Sequence, residues 1–189
     1  MAAETLEERL TVLEIGAGKD YKRAKIMAEM HPNWTYIVID PDISWHEKSP
    51  LPNLKIMQYG IPDALEQITD KVDRVEMYHT SSPMTGLNGK IVPKIYSWLN
   101  NDENPWLAEK HEVWIIDNTI TTFYHNDREG FDVQLKKFKE IVEKRGYTVE
   151  LELVENYEKL SDWDKRYLRS DPHLKLRLIK DKKADKNGI

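Results

Sequence analysis

Short apolar runs alternate with stretches of helical spacing along most of the chain, and the runs close on glycine, proline or an acidic residue. Thr11-Val12-Leu13-Glu14-Ile15 predicts a buried strand that stops at Gly16. Residues 21–30 predict a helix with Ala24, Met27 and Ala28 on one face, ended by His31-Pro32-Asn33. Tyr36-Ile37-Val38-Ile39 predicts a second buried strand, closed by Asp40-Pro41, and Leu54-Lys55-Ile56-Met57 a short third. Residues 62–68 read as a short helix with proline in its first turn. Residues 72–78 give a fourth strand, and 87–99 a helix that Pro93 kinks or shifts.

Val113-Trp114-Ile115-Ile116 predicts the fifth strand. Residues 133–144 predict an amphipathic helix, apolar at Val133, Leu135, Phe138, Ile141 and Val142 and stopped by Gly146. Residues 147–154 and 174–179 alternate in period two and read as a terminal antiparallel pair. Strands alternating with helices imply an α/β fold: a doubly wound, Rossmann-like sheet of seven strands, mostly parallel, with a C-terminal antiparallel hairpin and helices on both faces. No repeat and no internal linker divides the chain, so residues 1–180 read as one domain and 181–189 as a polar tail that frays.

Composition narrows the chemistry. The 189 residues contain no cysteine, which removes disulfides, thiolate nucleophiles and cysteine-ligated metals, and fits a cytoplasmic protein. No apolar run approaches the ~18 residues a membrane span needs, and the acidic N-terminus does not resemble a secretory signal. A formal net charge of −5 gives no support for bulk capture of nucleic acid, although a local basic patch could still bind it.

The strongest local signal is Leu13-Glu14-Ile15-Gly16-Ala17-Gly18-Lys19. A buried strand runs into two glycines and then a helix, which lets the chain turn sharply and a ligand approach the backbone. The following helix start offers free N–H groups. Asp40 ends the second strand, 22 residues beyond Gly18. In a doubly wound sheet the ends of strands one and two are neighbours, so a carboxylate there can accept both ribose hydroxyls of an adenosine. The plainer reading of these features is a strand-to-helix turn and a turn-forming Asp before proline.

These two segments resemble the first and second motifs of class I S-adenosylmethionine-dependent methyltransferases, the second being Val38-Ile39-Asp40-Pro41-Asp42. The resemblance extends over about residues 8–180 in strand order, closing hairpin included. It implies S-adenosyl-L-methionine as cofactor, with Gly16, Ala17 and Gly18 under its methionine part. It further implies that Glu14 orients that loop or meets the ammonium through water, and that Asp40-Pro41 lies at the ribose. The adenine would lie by Gln58-Tyr59-Gly60-Ile61-Pro62-Asp63. Asp63 is the residue type expected at its amino group, Gly60 competes for the same structural position, and Tyr59 or Ile61 could stack on the base.

A nicotinamide enzyme is the competing reading, but Tyr21 stands where Gly-x-Gly-x-x-Gly needs its third glycine. There it would crowd a pyrophosphate, and the acidic Glu14 also disfavours a diphosphate ligand. A non-catalytic relative that keeps the fold as a binding or scaffold protein is the other alternative.

Strand four runs into Tyr78-His79-Thr80-Ser81-Ser82-Pro83, at the end of the sheet where chemistry gathers. This does not match the Asn/Asp-Pro-Pro-aromatic pattern of adenine N-methylating relatives. His79 is the candidate general base for a hydroxyl acceptor, since histidine titrates near neutrality. Tyr78 and Ser81 are candidates to orient the acceptor, which the sequence does not identify. Asp117-Asn118 resembles the metal site of catechol-type O-methyltransferases, but its partner Asp is replaced by Tyr78 at the end of strand four, so no metal is expected. Residues 119–132, rich in aromatics, read as a loop over the substrate, with His125 as the second candidate base. Trp98, Trp106, Trp163 and Tyr167 read as packing residues, and Lys136, Lys137 and Lys139 as a solvated helix face.

Overall fold

The computed structural model describes residues 9–43, 51–60, 63–78, 105–116, 118–154 and 173–181. His79, Ser81, Ile61, Pro62, Asp117, Trp98, Trp163, Tyr167, the helix expected over 87–99 and nearly all of the polar tail lie outside the described residues.

Seven strands form one sheet: β1 (Thr11–Ile15), β2 (Thr35–Ile39), β3 (Leu54–Met57), β4 (Val72–Tyr78), β5 (Leu107–Ile116), β6 (Tyr147–Val154) and β7 (His173–Lys180). Their spatial order is β3-β2-β1-β4-β5-β7-β6. The first five pair in parallel, and β7 inserts antiparallel between β5 and β6. Chain order reverses between β1 and β4, which creates a topological switch point at the carboxyl ends of those strands.

Among the described residues the helices are α1 (Lys22–Met30), α2 (Asn118–Asn126) and α3 (Arg128–Glu143), with a 3-10 turn at Leu65–Gln67. Among the described residues of the segment, 63–68, only that short turn is helical; Asp63 before it and Gln67 at its end are exposed.

Period-two alternation sends the strand side chains into two cores. On one face Val12, Tyr36, Val38 and Leu54 pack on Ala24 and Ala28 of α1. On the other, Leu13, Ile15, Val75, Val113 and Ile115 pack on Ile120 of α2 and on Phe131, Phe138 and Val142 of α3. Trp106 is buried in this second core, as a packing residue should be. Asn53 ties α1 to the sheet: its Nδ2 donates to the Ala28 carbonyl, in the last turn of the helix, and lies within hydrogen-bond distance of the His31 and Trp34 carbonyls beyond it.

Two expectations change. The segment 119–132 is not a loop; it is α2 followed directly by the start of α3. Its threonines, aromatics and histidine are weak helix formers, yet Ile120, Phe123 and Tyr124 lie on one helical face, against the core. Thr121 is buried, and its Oγ1 accepts the Leu174 N–H at 3.2 Å. Asp127 then caps α3 by accepting the Gly130 N–H at 2.9 Å. The burial face of α3 also differs: Phe131, Phe138 and Val142 are buried, while Val133 and Ile141 are exposed. Because α3 starts at residue 128, Phe131 anchors the inner face, and Val133, two residues on, points to the other side.

Candidate functional site

The glycine turn after β1 is built from residues in left-handed backbone. Gly16 has φ 76° and Gly18 φ 75°, a region that costs an L-residue with a side chain about 1–2 kcal/mol. A Cβ added at Gly18 would meet nothing within 4 Å, so conformation, not crowding by the protein, calls for glycine there. That open space is where a ligand can approach the backbone.

Tyr21, φ 34°, continues the turn and precedes α1. Its N–H donates to the Gly18 carbonyl at 3.1 Å. The ring is 2% exposed and packed in the α1-side core, so it fills the core rather than crowding the turn.

Asp40 closes the turn from β2. Its Oδ2 accepts the Gly18 N–H at 2.9 Å, and its Oδ1 accepts the Asp42 N–H at 2.8 Å. The Gly16 N–H donates to the Ile39 carbonyl at 2.9 Å, so both glycines are tied to the end of β2. A carboxylate has about four lone-pair sites; these two contacts leave roughly two, enough for two vicinal hydroxyls.

The β3 end continues the same rim. The Asp40 N–H donates to the Met57 carbonyl at 3.3 Å, and Gln58 Nε2 donates to the Pro41 carbonyl at 3.2 Å. Pro41, Tyr59, Gly60 and Asp63 are all exposed beyond it, with Tyr59 at 40%. The structure therefore brings Gly16, Ala17, Gly18, Asp40, Pro41, Tyr59 and Gly60 to the adjoining ends of three neighbouring strands. Asp63 follows them, shortly before the 3-10 turn.

Glu14 behaves differently from these. It is 2% exposed and faces α1, where its Oε2 pairs with Arg23 Nη1 at 2.8 Å. Arg23 Nη2 pairs in turn with Glu76 Oε2 at 2.8 Å. Glu14 and Glu76 are register partners on β1 and β4, so Arg23 separates two carboxylates that would otherwise repel. Arg74 adds a second cation, 3.6 Å from Glu76. Burial, reinforced by the Glu76 charge, pushes the neighbouring Tyr36 hydroxyl above its ordinary pKa.

Arg23, Glu76 and Arg74 belong to neither motif of the sequence. The available signal was charge inside apolar strands: Glu14 and Glu76 each stand among residues that must be buried, and buried carboxylates require cations.

At the reaction end less can be placed. Tyr78 is the last residue of β4, aligned with Ile116 of β5; His79 and Ser81 follow it beyond the described residues. Asn118 opens α2. His125 is exposed in the last turn of α2, edge-on to the Tyr124 ring. Among the described residues no three histidine, aspartate or glutamate side chains form a metal-binding group, and no helix is long and apolar enough to cross a membrane.

No protein-family description matches the chain, and neither does any curated protein. Its fold is matched by solved structures. A 16S rRNA methyltransferase, KamB, superposes with a TM-score of 0.63 at 16% identity, over 90% of this chain and 88% of that one. A SAM-dependent methyltransferase from Archaeoglobus fulgidus gives 0.55 at 14% identity, over 93% and 87%. A variant 16S rRNA (adenine(1408)-N(1))-methyltransferase with cosubstrate SAM, from Catenulisporales acidiphilia, gives 0.52 at 15% identity, over 93% and 88%. The strand order, the closing antiparallel pair and these superpositions agree: across most of its length the chain has the class I S-adenosylmethionine-dependent methyltransferase fold.

Proposed function

We propose that this protein is an S-adenosylmethionine-dependent methyltransferase acting on a methyl acceptor yet to be identified. The observation that carries this reading is the junction of Asp40 with the glycine turn. A carboxylate with spare acceptor capacity sits at the end of β2, hydrogen-bonded to the backbone of a turn whose Gly18 has open space above it. The cofactor fits this set of donors and acceptors. Asp40 would take the ribose hydroxyls, the Gly16-Ala17-Gly18 backbone would lie against the methionine part, and Pro41, Tyr59, Gly60 and Asp63 would border the adenine. When bound, S-adenosylmethionine supplies a methyl group activated by its sulfonium.

What the protein contributes is chiefly placement, because an in-line displacement is accelerated by fixing donor and acceptor at the right distance and angle. The rim residues hold one partner against a rigid parallel sheet. Tyr78, the last residue of β4, and His79 and Ser81, next along the sequence, are the proposed acceptor-side groups, with His79 taking the proton from a hydroxyl acceptor and Tyr78 and Ser81 orienting it. His125 on α2 is the second candidate for the proton.

Titration calorimetry with S-adenosylhomocysteine and with NAD tests the reading. Saturable binding of S-adenosylhomocysteine and none of NAD is expected; tighter binding of NAD overturns it. The scaffold alternative is separated by a methyl-transfer assay over candidate hydroxyl, amine and RNA acceptors, since a scaffold would bind cofactor without turnover.

A further inference from the structure

The glycine turn lies between two residues that are paired with each other. Glu14 precedes it on β1 and Arg23 follows it on α1, nine residues later, and their side chains meet at 2.8 Å in the interior. The second prong of the same guanidinium reaches Glu76 on β4, also at 2.8 Å. All three side chains are at most 5% exposed. The Glu14 contact is a hydrogen bond and the Glu76 contact an ion pair without hydrogen-bond alignment; the flat, delocalised guanidinium sets its charge against both carboxylates at once, where an ammonium is a compact point charge. One side chain thus ties together the strand entering the turn, the helix leaving it, and the neighbouring strand across the switch point.

Gly16, Gly18 and Tyr21 have left-handed backbone between these two residues. Glycine adopts such backbone freely, so the free turn has other conformations open to it, while Tyr21, with its side chain, stays there only where its surroundings over-determine it. Asp40 supplies one constraint, through the Gly18 N–H. The two ends of the segment are also joined: Glu14 before the turn is paired with Arg23 after it.

We infer that Arg23 is a positioning residue for the cofactor turn: by bridging Glu14 and Glu76 it holds Gly16 and Gly18 in the conformation that receives the ligand. This rests on the reading that the turn binds S-adenosylmethionine. It assigns to Glu14 the part of an anchor at the entry to the turn, and it makes Glu76 and Arg23 positioning residues although both are buried.

The test is calorimetry with S-adenosylhomocysteine on Arg23→Lys, Arg23→Met and Glu76→Gln. Each is measured at a temperature where circular dichroism and melting show it fully folded. Arg23→Lys keeps the charge but loses the fork, and Glu76→Gln keeps the shape but loses one anchor. Each should weaken binding about 3- to 30-fold, and Arg23→Met, if it folds, should weaken it more. Combining Glu76→Gln with Glu14→Gln should be non-additive in affinity, because both act through one guanidinium.

If the wild type binds but Arg23→Lys and Glu76→Gln bind equally well while melting lower, the pair is merely structural and the inference is overturned. If the wild type binds no S-adenosylhomocysteine, the proposed function itself fails, and the inference with it.

Discussion

The backbone N–H of Gly18 donates to the Asp40 carboxylate at 2.9 Å, across 22 residues of sequence. Through this bond the end of β2 shapes the turn after β1. Asp40 is therefore both a candidate ligand for ribose and a structural part of the loop that would hold the rest of the cofactor, so its removal should be felt in both.

Asp40→Ala removes acceptors from two amides, those of Gly18 and Asp42. Losing such partners should cost about 1–3 kcal/mol in stability, with cofactor affinity falling roughly 10- to 100-fold through the lost charged hydrogen bonds. At ~2–4 °C per kcal/mol for a domain of this size, melting should drop by several degrees. Calorimetry and a thermal melt check the two effects together; an unchanged dissociation constant would rule out the ribose role.

Gly18→Ala separates backbone strain from ligand approach. Left-handed backbone should cost the folded protein about 1–2 kcal/mol, while the added methyl meets no protein atom within 4 Å. Affinity for S-adenosylhomocysteine should fall by more than the stability loss would suggest. A variant that melts lower yet binds as tightly would mean that nothing passes over Gly18.

Acid should loosen the hairpin end of the sheet through His111. Its Nδ1 lies 2.7 Å from the Ala108 carbonyl, which can only accept, so Nδ1 carries the proton and Nε2 accepts from the Tyr147 hydroxyl, also at 2.7 Å. Burial lowers the His111 pKa from its ordinary 6.5; the Ala108 contact opposes this and nearby Lys180 adds to the lowering. The unfolded chain thus takes up the proton at higher pH than the folded one. The stability this histidine contributes is present above about pH 6.5 and is lost as pH falls through the lower, folded-state value. Denaturant unfolding at a series of pH values should show that loss, and His111→Gln should reduce it; an identical pH profile in the variant would refute the assignment.

His79→Ala tests the acceptor side. If a hydroxyl is methylated with His79 as base, turnover should fall about 10²- to 10⁴-fold with cofactor affinity unchanged. Full turnover in that variant would move the role to His125 or show that proximity alone suffices.

Much of the fold was legible along the chain because its signals are local. β1, β3, β4 and β6 run where periodicity placed them, since a buried strand writes its pattern in consecutive residues. The glycine turn and Asp40 were legible for a related reason: left-handed backbone demands glycine, and a strand end followed by proline exposes its carboxylate. What the sequence left open depends on contacts between distant residues. Nothing near Arg23 marks it for the interior; it is buried because β1 and β4 set Glu14 beside Glu76, and two buried carboxylates need a cation between them. Likewise α2 is helical despite poor helix formers, because Ile120, Phe123 and Tyr124 reach a core assembled from other strands and Thr121 accepts a backbone N–H from β7. Local sequence thus determined the strands and the turn, while tertiary packing decided which charges are buried between β1, β4 and α1.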